Sequence, residues 1–132
     1  MKKIIALKGR SKSGKSTTLT ELVKMVFEIE LHLPKIQKDL VISFKYKNKT
    51  IAVISVGDNV PLITKHFNKI KDKFDILICA CRDSGMTLNF YNEFSGIDGY
   101  DVVFIDKHSN TDEDKERVIT KIKELISQEF NE

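Results

Sequence analysis

Short apolar runs alternate along the chain with segments whose apolar residues recur at helical spacing. The run from Lys3 to Lys8 predicts a buried strand. From Ser16 onward, apolar side chains recur every three or four residues, which predicts an amphipathic helix that ends before Pro34. The stripe of this helix consists of Leu19, Leu22, Val23, Val26 and Phe27.

The next pattern predicts two paired strands. Apolar and polar residues alternate from Leu40 to Tyr46, and this period of two predicts a half-exposed strand at a sheet edge. Asn48-Lys49 predicts a tight turn, because Asn tolerates a positive φ. The run from Ile51 to Val56 is almost wholly apolar and predicts a strand buried on both faces. The two strands are expected to form an antiparallel hairpin.

The remaining chain continues to alternate between helices and strands. Asp58 or Asn59 is expected to cap a helix that carries Pro61 in its first turn. The expected inner face of this helix is Leu62, Ile63, Phe67 and Ile70. Further predicted elements are a buried strand at Ile76 to Cys81, a short helix at Leu88 to Phe94, a strand at Val102 to Ile105, and a final helix that Asn110 or Thr111 caps. The inner stripe of the final helix is Val118, Ile122, Leu125, Ile126 and Phe130.

This order of elements predicts the fold class. We expect one α/β domain over residues 1–132, a three-layer sandwich with a mostly parallel sheet and one antiparallel hairpin edge strand. Ligands of such folds bind at the carboxyl ends of the strands. Gly9, Asp58, Arg82 and Asp106 each follow a predicted strand, so their loops are expected to converge at that edge of the sheet.

The loop after the first strand matches the pattern G-x-x-x-x-G-K-[ST] in full. Without a Cβ, Gly9 and Gly14 allow the backbone to turn tightly and to approach phosphate oxygens. Backbone N–H groups at the start of the following helix favour an anion. Lys15 is expected to reach the β- and γ-phosphates, and the Ser16 hydroxyl is expected to bind magnesium. The candidate phosphate-binding residues are Gly9, Arg10, Ser11, Lys12, Ser13, Gly14, Lys15, Ser16 and Thr17.

On this motif the chain resembles the P-loop NTPase superfamily. The segments Ser55-Val56-Gly57-Asp58 and Cys79 to Thr87 are also similar to small stand-alone bacterial P-loop proteins that are described only as ATP-binding. The resemblance implies that the chain binds a nucleoside triphosphate, ATP in the first instance, with Mg²⁺. It implies little about the biological role.

Two acids compete for the magnesium ion. Asp58 follows the hairpin, where small GTPases, as the resemblance implies, carry the acid of a D-x-x-G motif, although no glycine stands three residues later. Asp106 ends a run similar to a Walker B strand, but it comes late in the chain. We expect Asp58 to bind the metal rather than Asp106. Either acid also fits a helix cap or a loop at a strand end.

The cations near these loops leave alternatives open. The planar guanidinium of Arg82 suits contact with a phosphate or with adenine, and it equally suits a salt bridge to Asp83 or another nearby acid. Lys15 and Arg82 are the catalytic candidates. Arg10 and Lys12 are expected either to contact phosphate, in the same chain or across a dimer, or to be solvated.

Missing motifs narrow the predicted function. Ile105-Asp106-Lys107-His108 is not the N-K-x-D motif of GTP-specific proteins, which favours ATP. No acid pair follows a strand, so weak or partner-activated NTP hydrolysis is expected. One alternative is a small-molecule or nucleotide kinase. Another is a non-catalytic nucleotide sensor or interaction domain, with a protein partner or a second copy pairing along the strand at Leu40 to Tyr46.

Composition excludes several other classes of function. The net charge of +3 is mild and the lysines are scattered, which does not favour nucleic-acid binding. No apolar run approaches the roughly 20 residues of a membrane span. Cys79 and Cys81 are expected to share one face of a strand as reduced thiols, which points to the cytoplasm. The histidines show no metal-finger spacing relative to these cysteines.

Overall fold

The computed structural model describes residues 2–10, 13–27 and 40–130 of the chain. Within these ranges, five strands form one sheet and four α-helices flank it. The strands are β1 (Lys2–Lys8), β2 (Val41–Tyr46), β3 (Lys49–Ile54), β4 (Ile76–Cys81) and β5 (Tyr100–Asp106). The helices are α1 (Lys15–Val26), α2 (Val60–Ile70), α3 (Met86–Asn92) and α4 (Asp112–Phe130), with a 3-10 turn at Glu93–Gly96. The first helix ends at Val26, before Pro34 as predicted.

The sheet has the strand order β2-β3-β4-β1-β5. Its strands are parallel except for the antiparallel pair of β2 and β3, so the predicted hairpin and edge strand are confirmed. The predicted turn was wrong by one residue. Tyr46 pairs with Lys49, and the positive φ angles fall on Lys47 (48°) and Asn48 (73°). A two-residue type I′ hairpin turn requires a positive φ at both central residues. The turn at Lys47 and Asn48 therefore sets the pairing register of β2 and β3.

Helices cover both faces of the sheet and bury two apolar cores. On one face α1 and α4 pack over alternate residues of the strands, and on the other face α2 and α3 do so. The predicted helix stripes are the buried surfaces: Leu19, Leu22 and Val23 of α1, and Val118, Ile122, Leu125 and Ile126 of α4. β1 lies between two parallel neighbours and is therefore apolar along its middle.

One prediction about α2 was wrong. Asn59 is its N-cap, and the side-chain oxygen of Asn59 accepts a hydrogen bond from Leu62 N–H at 3.1 Å. Ile63 and Phe67 are buried as predicted, but Leu62 is 40% exposed. Leu62 lies in the first turn of α2 and lines a cavity at the carboxyl ends of the strands, and it is not among the side chains of the apolar core.

Two further expectations have clear outcomes. The predicted short helix begins two residues earlier than expected, at Met86, directly after Gly85 with its positive φ of 89°. Cys79 and Cys81 are free, buried thiols on the same face of β4, under α2 and α3. Among the described helices, none combines the length and the apolar character that crossing a bilayer requires.

Candidate functional site

The carboxyl ends of β1 and β3 open onto a cavity of about 420 Å³, which we call the first cavity. Because these strands are parallel, the loops that leave them lie at the same end of the sheet. The lining residues are Ser13, Gly14, Lys15, Ser16, Thr17, Ser55, Val56, Gly57, Asp58, Asn59, Leu62 and Asn110. The first cavity thus joins the glycine-containing loop to Asp58, as the sequence predicted. Ser11 and Lys12 lie outside the described residues.

The two glycines of the loop are required by close packing against the β5–α4 loop. Gly14, the N-cap of α1, has φ 90° and ψ 20°, a left-handed conformation that side chains other than glycine rarely adopt. A Cβ on Gly14 would lie 2.5 Å from Asn110 Oδ1, and a Cβ on Gly9 would lie 2.6 Å from the Lys107 carbonyl oxygen. Both distances are shorter than the contacts that Cβ atoms make in protein structures. The tight loop therefore depends on glycine at both positions.

Lys15 is folded over its own loop. Its side chain is buried, and Nζ donates hydrogen bonds to the carbonyl oxygens of Gly9 at 2.7 Å and Arg10 at 2.9 Å. Burial lowers the pKa of the Lys15 ammonium below its ordinary value, although the nearby charge of Asp58 acts in the opposite direction. An ammonium has three donors, and these two bonds leave one for another acceptor.

Three hydroxyls lie around the start of α1. Ser16 Oγ lies in the cavity wall and donates to the Ser55 carbonyl oxygen at 3.4 Å, which is a long hydrogen bond. Ser13 Oγ and Thr18 Oγ1 are buried and have no hydrogen-bond partner within the described residues. Buried hydroxyls are normally satisfied, so an unsatisfied one in a cavity wall such as Ser13 points to a ligand acceptor.

Asp58 and Arg82 form an ion pair across neighbouring strand ends. Arg82 Nε donates to Asp58 Oδ1 at 2.6 Å, and both side chains are about half exposed. Gly57 permits this approach, because a Cβ there would lie only 3.0 Å from the backbone carbon of Ala80. Asp58 lines the first cavity, whereas Arg82 does not. The salt-bridge alternative for Arg82 is thus the one observed, although its partner is 24 residues away in sequence rather than the adjacent Asp83.

Asp106, the competing acid, lies apart from the first cavity. Its carboxylate is 3.6 Å from Lys8 Nζ, and its backbone carbonyl accepts a hydrogen bond from Arg117. β5 is the outer neighbour of β1, so the end of β5 is on the opposite side of the glycine-containing loop from Asp58. The four predicted loops share one edge of the sheet, and three of them line this cavity; the β5–α4 loop contributes Asn110 but not Asp106, and the Arg82 loop contributes nothing.

Sequence reasoning missed the network of side chains that holds the β5–α4 loop. Asp114 accepts hydrogen bonds from Lys107 Nζ at 2.9 Å and from the backbone N–H groups of His108 and Ser109 at 2.9 and 3.2 Å. Arg117 donates to its other carboxylate oxygen. Thr111 caps α4 through its hydroxyl, which accepts from Asp114 N–H. The network fixes the loop that carries Asn110 against Gly14. The one available sign was an acid, Asp114, four residues before Val118, the first buried apolar residue of α4.

This network has an electrostatic consequence. Burial alone would raise the pKa of the Asp114 carboxyl, but the hydrogen bonds from Lys107, Arg117 and the two backbone N–H groups outweigh burial and hold the pKa well below its usual range. The Lys107 and Asp114 side chains are 1% and 9% exposed, so each compensates a charge that water cannot reach.

We expect Asp114→Asn to lower the free energy of unfolding by about 3 kcal/mol at neutral pH, because Lys107 would remain buried without its partner. A carboxyl whose folded-state pKa is lowered stabilises the fold above its unfolded-state pKa of about 4, and this stabilisation is lost as pH falls below that value. Urea unfolding from neutral to acidic pH should therefore show the two proteins converging. Asp112→Asn, at an exposed carboxylate of the same helix turn, is the control and should change little. A constant difference at all pH values would contradict this account.

The first cavity offers some, but not all, of the ligands that a magnesium ion needs. Within residues 2–10, 13–27 and 40–130, no group of three or more His, Cys, Asp or Glu side chains could hold a metal. Mg²⁺ prefers oxygen ligands and usually takes one or two from protein and the rest from phosphates and water. The hydroxyl of Ser16 and the carboxylate of Asp58, both in the cavity wall, are oxygen donors of this kind.

Comparison of the chain with known protein families, with curated proteins and with solved structures finds no match. The resemblance to P-loop NTPases therefore depends on the loop motif and on the segments around Asp58 and Arg82.

Proposed function

We propose that this chain binds a nucleoside triphosphate, ATP in preference to GTP, together with Mg²⁺ through residues 9–17, and hydrolyses it slowly. The observation that carries the proposal is the first cavity itself. It combines a strand–loop–helix segment of the G-x-x-x-x-G-K-[ST] pattern with an acid that follows β3, which is separated from β1 by β4. The absence of the N-K-x-D motif supports ATP over GTP.

Each residue of this cavity has a role in the proposal. The backbone N–H groups at the start of α1 bind phosphate oxygens, where the helix dipole also favours negative charge. Lys15 uses its remaining donor for a terminal phosphate. Ser16 and Asp58 hold the magnesium ion, which supplies neutralisation of phosphate charge. The buried hydroxyl of Ser13 gains an acceptor.

The proposed hydrolysis is slow because a group that activates water is lacking. Among the described residues that line the first cavity, Asp58 is the only carboxylate, and it is paired with Arg82. An efficient hydrolase needs a further side chain to orient the attacking water. A partner protein that supplies one would raise the rate.

A second candidate is a phosphotransferase, and one observation favours it. A second cavity adjoins the first and shares Asp58 and Asn59 with it. A phosphoryl acceptor must lie beside the terminal phosphate to react with it.

Calorimetric titration tests the proposal. ATP is expected to bind more tightly than GTP, and chelation of Mg²⁺ should weaken ATP binding by about tenfold or more, which corresponds to about 1.4 kcal/mol. Phosphate release measured with and without candidate acceptors then separates a hydrolase from a phosphotransferase and from a binding-only sensor. No ATP binding at millimolar concentration, with a folded protein, would overturn the proposal.

A further inference from the structure

A second cavity of about 510 Å³ lies between the β3–α2 loop and the β4–α3 loop. Its lining residues are Asp58, Asn59, Val60, Pro61, Arg82, Asp83, Ser84, Met86 and Thr87. β3 and β4 are adjacent and parallel, so their two loops form opposite walls. Asp58 and Asn59 belong to both cavities, which places a ligand of the second cavity next to a ligand of the first.

The size and chemistry of this cavity suit a small polar metabolite. Ligand sites in proteins typically occupy about 300–1,000 Å³ and combine apolar walls with a few polar groups. Here the apolar part is Val60, Pro61 and Met86, on the first turns of α2 and α3. The polar part includes the Thr87 hydroxyl, which is buried and is held in place by a hydrogen bond that it accepts from Arg82 N–H at 2.9 Å.

The charges of the second cavity have a net negative sign. Its charged lining residues are Asp58, Asp83 and Arg82. Arg82 and Asp58 neutralise each other at 2.6 Å. Asp83 is exposed, and no ion pair joins it to another side chain within the described ranges. Asp83 therefore lines the cavity as a carboxylate without an ion-pair partner in those ranges, although its charge also interacts with that of Lys15 at the adjoining loop.

We propose that the second cavity binds a small cationic molecule that carries an ammonium group and several hydroxyl groups. The ammonium is attracted by Asp83, and the hydroxyls find partners in Thr87 and Ser84. A phosphorylated or carboxylated ligand is disfavoured by Asp83 and, with ATP bound, by the phosphates beside it. That this ligand is a second substrate of the phosphotransferase candidate rests on the proposed function, whereas the site itself does not.

The test uses three hexose probes of similar size and different charge: glucosamine, glucose and glucose 6-phosphate. Binding to the full chain is measured by saturation-transfer NMR and titration at a pH slightly below neutral and at low salt. Glucosamine should bind best and glucose 6-phosphate worst. Asp83→Asn should weaken glucosamine binding by about tenfold, which corresponds to about 1.4 kcal/mol, and Asp83→Lys should reverse the order of the two charged probes.

Two controls make the outcome decisive. Asp98→Asn removes an exposed carboxylate outside this cavity and should leave glucosamine binding unchanged. Lys15→Ala should weaken ATP binding but preserve glucosamine binding, so failure of the nucleotide proposal is distinguishable from failure of this one. The proposal is overturned if none of the probes binds at high millimolar concentration, if glucose 6-phosphate binds the unaltered chain as well as glucosamine, or if Asp83→Asn has no effect.

Discussion

Replacement of Lys15 by alanine is expected to weaken ATP binding by about 10- to 100-fold without unfolding the chain. A hydrogen bond from a charged donor contributes about 1.5–3 kcal/mol, and each 1.4 kcal/mol changes affinity tenfold. Lys15 is positioned for this bond, because its Nζ is fixed above the loop by the carbonyls of Gly9 and Arg10. Isothermal titration with ATP and Mg²⁺ measures the loss, and far-ultraviolet circular dichroism checks the fold.

The matched control is Lys24→Ala, which removes an exposed lysine from the last turn of the same helix. It changes the net charge equally, so any general electrostatic effect on a polyanion appears in both variants. We expect the control to retain nearly full affinity. Equal losses in the two variants would mean that ATP is attracted by overall charge, and a wild-type affinity in Lys15→Ala would exclude the loop as the binding site.

Asp58→Asn is expected to raise the magnesium concentration needed for half-maximal ATP binding by about tenfold, and Asp106→Asn should change it little. Loss of a carboxylate ligand removes a charged oxygen donor from a cation that prefers such donors. Asp58 lines the cavity beside Ser16, whereas Asp106 faces Lys8 on the other side of the loop. Magnesium titrations at fixed ATP measure both variants. A larger increase in the magnesium requirement for Asp106→Asn than for Asp58→Asn would indicate that Asp106 is the metal ligand.

Arg82 complicates the interpretation of Asp58→Asn, because that change also removes its partner. The exposed pair contributes at most about 1 kcal/mol to stability, so the fold is expected to survive in either variant. Arg82→Gln separates the two effects. It breaks the same ion pair while leaving the Asp58 carboxylate in place, and it should preserve or increase magnesium affinity, since Asp58 no longer has a competing cation. A loss like that of Asp58→Asn would instead indicate that the pair itself matters.

Much of the fold followed from local periodicity. β4 has the predicted bounds, and the stripes of α1 and α4 are the buried faces, because burial of one side imposes the same spacing on the sequence in any fold of this class. The predictions were wrong where contacts with residues distant in the chain determined the local structure. The hairpin turn moved to Lys47 and Asn48 because cross-strand pairing sets the register. Leu62 is exposed because the first turn of α2 borders a cavity rather than the sheet.

For the site, the sequence by itself determined the glycine-containing loop, because the requirement for residues without a Cβ and for a lysine at a helix start is local. Only the tertiary structure decided which distant groups meet that loop. Strand order brought Asp58 beside Ser16, separated Asp106 from it and paired Arg82 with Asp58. It also set Asn110 against Gly14 through the buried contacts of Asp114. Such contacts join residues far apart in the chain, and no spacing in the sequence records them.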